Sequence, residues 1–443
     1  MVENSEAKLR EFERPQPTGR LLVLFNPGTD GGTMGQCINN ATGANVYSSR
    51  EFKGNFSQME AALNDGEAVT FGKFPLAVVG QNGDTGRMTA LSADENVRQA
   101  RPEFFMYAMG DLQQRYAAWV RDGLRLLADG AVDGAMGAGA FGDDAQAAVS
   151  RTFQDTDDFT WGLAATGASS SNYNGYGIKV AVLDTGFDLK HPDFAGRKIV
   201  AESFVDGEAV DDLQGHGTHC AGTVAGPASS SVGAQRRYGV APDASLYIGK
   251  VLSNSGTGKE GDILAGMEWA IDEGCEIISM SLGRPTWIGE RPDPVYEAIG
   301  EAALDAGSLI IAAAGNESYR DFNYIAPVGS PANAKSIMAV GAVDSRLNVA
   351  TFSCGGLNPG GGEVDVSAPG VAVYSSFPRP RQVRVLNGTS MACPHVAGLA
   401  ALWAQCDKSL RAQKLWDAVA RSAVEIGRRR DYGRGLAKAP DAD

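Results

Sequence analysis

From Gly175 onward, short apolar runs alternate with stretches of helical periodicity, and that rhythm restricts the fold more than any other property of the chain. Residues 179–183, 245–251, 276–280, 308–313 and 336–343 are continuous hydrophobic runs of strand length. Residues 261–273, 295–306 and 409–423, with the run that follows Ser390, carry the helical pattern. Strands apolar on both faces and separated by helices belong to a parallel sheet covered on both sides. This predicts a three-layer α/β domain, placed over residues 156–443. Such sheets carry their working groups at the carboxyl ends of strands.

The first third of the chain has a different grain. Residues 1–18 read as a polar leader. Residues 19–110 hold strand patterns at 20–25, 44–52, 68–79 and 103–109 and helix patterns at 34–41 and 92–99, enough for a small α+β domain. Residues 111–155 combine an amphipathic helix over 111–129 with a Gly/Ala-rich connection at 130–142. With 53 acidic against 39 basic residues the net charge is −14, which argues against nucleic acid and anionic membrane as partners. The charged first twenty residues lack the apolar core of a secretory signal, and no run reaches membrane-spanning length. The chain as read therefore starts in the cytosol, with secretion the alternative if a signal has been removed. Six scattered cysteines without a CxxC pair point to buried free thiols rather than a zinc motif or a disulfide framework.

Three short stretches carry chemistry. Asn387-Gly-Thr-Ser-Met-Ala-Cys-Pro-His395 puts Ser390 on a small-residue turn at a helix start. A serine there either caps the backbone or presents its hydroxyl to a cleft beside the positive end of the helix dipole. As a nucleophile it needs a base and an orienting acid. Val180-Ala-Val-Leu-Asp-Thr-Gly186 ends a strand at Asp184, and Gly215-His-Gly-Thr-His219 holds two of only four histidines. Glycines that admit a substrate frame His216, making it the base candidate. His219 reads as packed, His191 as a turn residue and His395 as a buried helix residue.

With these blocks in the order Asp, His, Ser, residues from about 160 to 425 resemble the subtilisin-like serine peptidases, the subtilase family. The resemblance implies that Asp184 orients the base, His216 is the general base, Ser390 the nucleophile, and Asn316 of Ala312-Ala-Ala-Gly-Asn-Glu317 the oxyanion-hole amide. It implies an endopeptidase acting on proteins or peptides through an acyl-enzyme, with no cofactor for the chemistry. Ser281, Leu282 and Gly283 match one backbone edge of the family's cleft, and Gly256 and Gly258 the other, between which a peptide adds as a strand. Ala312, Gly315 and Gly329 would line the pocket for the residue before the cleaved bond, and their small size implies large apolar side chains there.

Two departures qualify the resemblance. Cys220 and Cys393 replace the residues that many members carry and read as packing. Asp193 matches a family calcium ligand, yet residues 226–238 (GPASSSVGAQRRY) lack the asparagine-containing segment that completes the site. That site is expected to be lost or altered, and structural calcium elsewhere stays open. By place and element order residues 19–110 resemble the family's propeptide, which implies an intramolecular inhibitor whose last strand blocks the cleft until self-processing. Two rivals share the motifs: an acyl transferase that passes the acyl group to an amine, and an inactive peptide-binding relative. The second is disfavoured because none of Asp184, His216, Asn316 and Ser390 is missing.

Overall fold

A computed structural model describes residues 15–80, 85–108 and 152–441. The N-terminal unit contains β1 (Pro17–Phe25), β2 (Val46–Ser48), β3 (Ala68–Thr70), β4 (Leu76–Val79) and β5 (Val97–Ala108), side by side in the order β5-β1-β4-β3-β2. Period two along β1 sends Val23 and Phe25 to one face, where they pack with Met34, Cys37 and Ile38 of the helix Gly31–Thr42. Leu22 and Leu24 face the other way. They join Met59 and Leu63 in a core that continues into Ile263 and Met267 of the larger domain. One face of the small sheet is thus completed from outside the unit.

Local chemistry redraws several expected boundaries. The run 68–79 is a hairpin, β3 antiparallel to β4, because Gly72 and Pro75 interrupt it. The helix expected at 92–99 lies earlier, at Thr85–Ser92. Asp94 accepts the Asn96 N–H at 2.9 Å in an Asx turn, after which β5 begins. Within 44–52 only Val46–Ser48 is strand, since Ser48 and Glu51 form a capping box that winds Ser49–Phe52 into a 3-10 turn. Helix Phe56–Asn64 is an additional element. Most of the leader and nearly all of the segment 111–155 lie outside the described residues.

The larger domain adds β6 (Lys179–Asp184), β7 (Val200–Ser203), β8 (Ser245–Lys250), β9 (Thr257–Lys259), β10 (Ile277–Met280), β11 (Leu282–Gly283), β12 (Leu309–Ala313), β13 (Met338–Val343) and β14 (Val366–Pro369), then a hairpin of β15 (Val373–Ser376) and β16 (Val383–Leu386). Seven of these form a parallel sheet in the order β14-β13-β12-β10-β6-β8-β7. Helices His216–Ala225 and Thr389–Cys406 cover one face, Glu260–Asp272 and Pro294–Asp305 the other. The chain is a three-layer α/β protein.

Strands β7 and β14 escape a hydrophobic-run criterion because each is four residues long and carries polar side chains. The strand order turns at β6, with β8 and β7 built outward on one side and β10 to β14 on the other. A crevice opens at the carboxyl end of such a strand. Asp184 is the last residue of β6. Among the described residues no helix is long and apolar enough to cross a membrane.

Candidate active site

The helix that His216 opens approaches β6 closely because Gly217 has no side chain: a Cβ there would lie 2.3 Å from the Gly186 carbonyl oxygen. His216 Nδ1 consequently sits 2.8 and 3.0 Å from the two Asp184 carboxylate oxygens, with the two side chains only 5% and 1% exposed. Burial alone would lower the imidazole pKa; the Asp184 charge and hydrogen bond outweigh it and raise it well above the ordinary histidine value. Asp212 braces the surrounding loop, accepting hydrogen bonds from Thr185 Oγ1 (2.9 Å), the Gly215 N–H (2.7 Å), and the Thr218 N–H and Oγ1 (2.8 and 2.7 Å). It belongs to the site, although no motif in the sequence marks it.

Ser390 is the second residue of its helix. Pro394, four residues on, has no N–H to offer the Ser390 carbonyl. That oxygen accepts instead from Ser281 Oγ at 2.8 Å and Cys220 Sγ at 3.5 Å, tying the helix start to the β10–β11 edge and to the His216 helix. Ser390 Oγ donates to the Ser281 carbonyl at 3.5 Å, and His216 Nε2 has no partner among the described residues. Ser390 Oγ and His216 Nε2 are therefore not hydrogen-bonded to each other here.

Asn316 follows Gly315 (φ +114°) just past β12. Its Oδ1 accepts the Thr389 N–H at 2.8 Å and Thr389 Oγ1 at 2.9 Å, which fixes the amide's orientation. A Cβ on Gly388 would lie 3.3 Å from Asn316 Nδ2 and 3.5 Å from Ser390 N, so two N–H groups border one small volume. Thr389 sits inside the serine motif, but its orienting role emerges only in three dimensions.

The two backbone edges are occupied by β5. It runs antiparallel to both, with Met106 opposite Gly258, Tyr107 opposite Thr257 and Gly283, and Ala108 opposite Leu282. The Ala108 N–H also reaches the Gly256 carbonyl at 2.8 Å.

Beyond β12, the Gly329 N–H bonds the Ala314 carbonyl at 2.9 Å and the Cys354 N–H bonds that of Gly315 at 3.1 Å, which groups Gly315 and Gly329. Ala312 is placed apart from them, fully buried in the sheet between Met280 and Ala339, because it precedes the strand's carboxyl end. Glu317 and Cys354 lie under Gly315 instead. A Cβ on Gly315 would be 2.5 Å from Glu317 Oε2 and 2.9 Å from Cys354 Sγ. The thiol donates to that oxygen at 3.1 Å, and burial raises the carboxyl.

The other histidines are packed. His219 Nε2 lies 3.1 Å from the Val373 carbonyl, and burial lowers its pKa to about 3. His395 Nδ1 lies 2.7 Å from that of Met391, and burial lowers its pKa to about 4. His191 both caps a turn and is fully buried, with Nε2 2.6 Å from the Gln382 carbonyl.

Around Asp193 the residues do not fit a calcium cage. Oδ1 accepts the Ser231 N–H (2.6 Å) and Oγ (2.8 Å), and Oδ2 accepts Ser230 Oγ and Tyr238 OH, both at 2.7 Å. Calcium needs oxygen lone pairs turned inward, whereas these neighbours turn hydrogens toward the carboxylate.

A serine, an imidazole and a carboxylate supplied by three elements around the crevice of a parallel sheet define a serine hydrolase of the α/β type. Comparison with known proteins narrows that class. A sequence model of the subtilase family matches residues 175–435. Subtilisin DY of Bacillus licheniformis is 40% identical over 275 residues, 62% of this chain and 93% of that protein. Subtilisin Savinase of Lederbergia lenta is 40% identical over 286 residues, 64% of this chain and 97% of its own length. Subtilisin E of Bacillus subtilis strain 168 is 40% identical over 276 residues, covering 62% and 68%. The chain belongs to the subtilase family and is a subtilisin-like serine endopeptidase, with proteins or peptides as substrates.

Proposed function

We propose that this peptidase is made as a self-processed zymogen in which residues 19–110 inhibit the domain they precede, separated from it by the segment 111–155. The observation that carries the reading is the position of β5 as a middle strand between β9 and β11, the place a peptide substrate would take. Its carboxyl end points to the serine, since Leu282 opposite Ala108 directly follows Ser281, which is bonded to Ser390. In the freed enzyme Ser390 attacks the peptide carbonyl while His216, oriented by Asp184, takes its proton. The Ser390 N–H and Asn316 Nδ2 receive the developing oxyanion. No cofactor enters this chemistry, and Asp193 serves as a loop clasp.

The pocket reached past Gly315 and Gly329 favours a large apolar residue before the cleaved bond. Small walls support this, as does Glu317, whose buried carboxyl resists ionisation. Purifying wild type and Ser390→Ala and measuring their masses and N-termini tests the zymogen. The wild type should lose its N-terminal unit by cleavage beyond Ala108 and the variant should stay whole; equal lengths would reject self-processing. A mixed-peptide cleavage profile dominated by basic residues would reject the pocket assignment.

A further inference from the structure

We propose that the freed enzyme reads its substrates far upstream of the cleaved bond, through a guanidinium site formed by Glu260 and Asp293. The site takes an arginine seven residues before the position that Ala108 now fills. The inference rests on the reading of β5 as a strand lying where substrate lies. Seven residues of extended chain span roughly 23 Å, so the site is remote from Ser390. Arg101 occupies it here. Its Nη1 donates to Glu260 Oε2 at 2.7 Å, and its Nη2 donates to Glu260 Oε1 at 2.9 Å and to Asp293 Oδ2 at 2.6 Å. Among the described residues neither carboxylate has another ion-pair partner.

Both carboxylates belong to the larger domain and are oriented by it. Tyr296 OH donates to Glu260 Oε1 at 3.0 Å, and Asp293, which caps its helix, accepts the Val295 N–H at 3.0 Å through its other oxygen. Departure of Arg101 therefore leaves two positioned carboxylates without a cation. Between this site and the cleft the strand makes its own contacts to the larger domain. The Phe104 N–H donates to Glu260 Oε2 at 2.9 Å, Glu103 accepts the Gly261 N–H at 2.7 Å, and residues 105–108 pair with β9 and β11. A substrate strand on the same path brings its residue at the Arg101 position to the pair. Arginine suits it better than lysine, because the planar fork reaches both Glu260 oxygens and Asp293 at once, whereas a single ammonium meets only part of that set.

The test uses wild-type enzyme produced as the full chain and quenched fluorescent peptides carrying residues 99–112 of this sequence, either unchanged or with Arg101→Lys or Arg101→Ala. A short peptide beginning at Phe105 is the control, and cleavage beyond Ala108 is scored by product mass. The unchanged peptide should show kcat/KM about tenfold above the Arg101→Ala peptide, with Arg101→Lys between them and the difference mainly in KM. In the enzyme, Glu260→Gln should bring the ratio between the unchanged and Arg101→Ala peptides close to one, whatever it does to either rate alone. Asp293→Asn, which keeps the helix cap, serves should the first variant not mature. Equal kcat/KM for the three long peptides, or a ratio that persists in both variants, would overturn the inference while cleavage of the short peptide leaves the zymogen reading standing. Cleavage of none of the peptides would overturn that reading and this inference with it.

Discussion

Thr389 grips the Oδ1 of Asn316 with both its N–H and its hydroxyl, so the amide's donor end is set before substrate arrives. Preorganised donors of this kind act mainly on the transition state. Asn316→Ala should lower kcat by about 10²–10³ with KM little changed, a split that steady-state kinetics reads directly. For His216 the sign of the pH dependence follows from its partner. The carboxylate favours the imidazolium, and only neutral imidazole can take the Ser390 proton. Activity should therefore rise with pH through a midpoint above the ordinary histidine value. Asp184→Asn removes the raising charge, so the limb should move down in pH while kcat falls by about 10⁴. A kcat/KM profile whose limb stays in place in that variant would contradict the assignment. These residues were legible because reaction chemistry restricts their types to Asp, His, Ser and Asn, and because their motifs stand in the order of the family they resemble. Thr389, Asp212 and Glu317 were not, since hydrogen-bond support can come from many residue types at many spacings.

Among the elements, the loop from Gly226 to Tyr238 shows how one carboxylate can organise a segment without a metal. Asp193 gathers Ser230, Ser231 and Tyr238, two of which are almost fully buried: Tyr238 at 1% exposure and Ser230 at 5%. Asp193→Ala would strand the Tyr238 hydroxyl and remove the centre of the loop. Ser230 Oγ keeps the Val232 carbonyl as an acceptor at 3.0 Å, so one buried donor is left bare and the loss should be about 1–3 kcal/mol, read as a lowered Tm. Added calcium should leave the wild-type Tm unchanged; a rise that Asp193→Ala abolishes would restore a cation to this loop. The long apolar strands and helices of the sheet were readable for the opposite reason, that burial on both faces leaves a strong signal. Short β7 and β14 take their identity from neighbours in the sheet, and β3–β4 depends on a turn at Gly72 to Pro75 inside an apolar run.

At the scale of the whole molecule, the contact between the two units concentrates charge at the start of helix Glu260–Asp272. Arg101 bonds Glu260 at 2.7 and 2.9 Å and Asp293 at 2.6 Å, Arg20 and Lys259 pair with Glu60, and Glu103 accepts the Gly261 N–H at 2.7 Å. Asp262 is buried beside them, its Oδ1 without a partner among the described residues. Five carboxyl groups thus face three cations. Burial raises Glu103, and burial with the charge of Glu60 raises Asp262; Glu268, under Ser49 and Gly72, is raised by burial as well. Glu60 moves the other way because Arg20 and Lys259 outweigh its burial. A carboxyl raised on docking carries a proton into the interface. Its contribution is complete below the ordinary carboxyl pKa and is lost as pH climbs from there to the raised value. Glu60 adds the opposite slope only below the ordinary carboxyl range. Docking should therefore loosen as pH rises through that window, by up to about tenfold per pH step of one for each proton released. In Ser390→Ala, which the proposed self-processing would leave whole, a fluorescent peptide should enter the cleft more readily at higher pH. Adding Glu103→Gln, which mimics the protonated acid, should flatten that dependence. An unchanged slope, or a cleft that closes as pH rises, would show that the buried acids do not set the release.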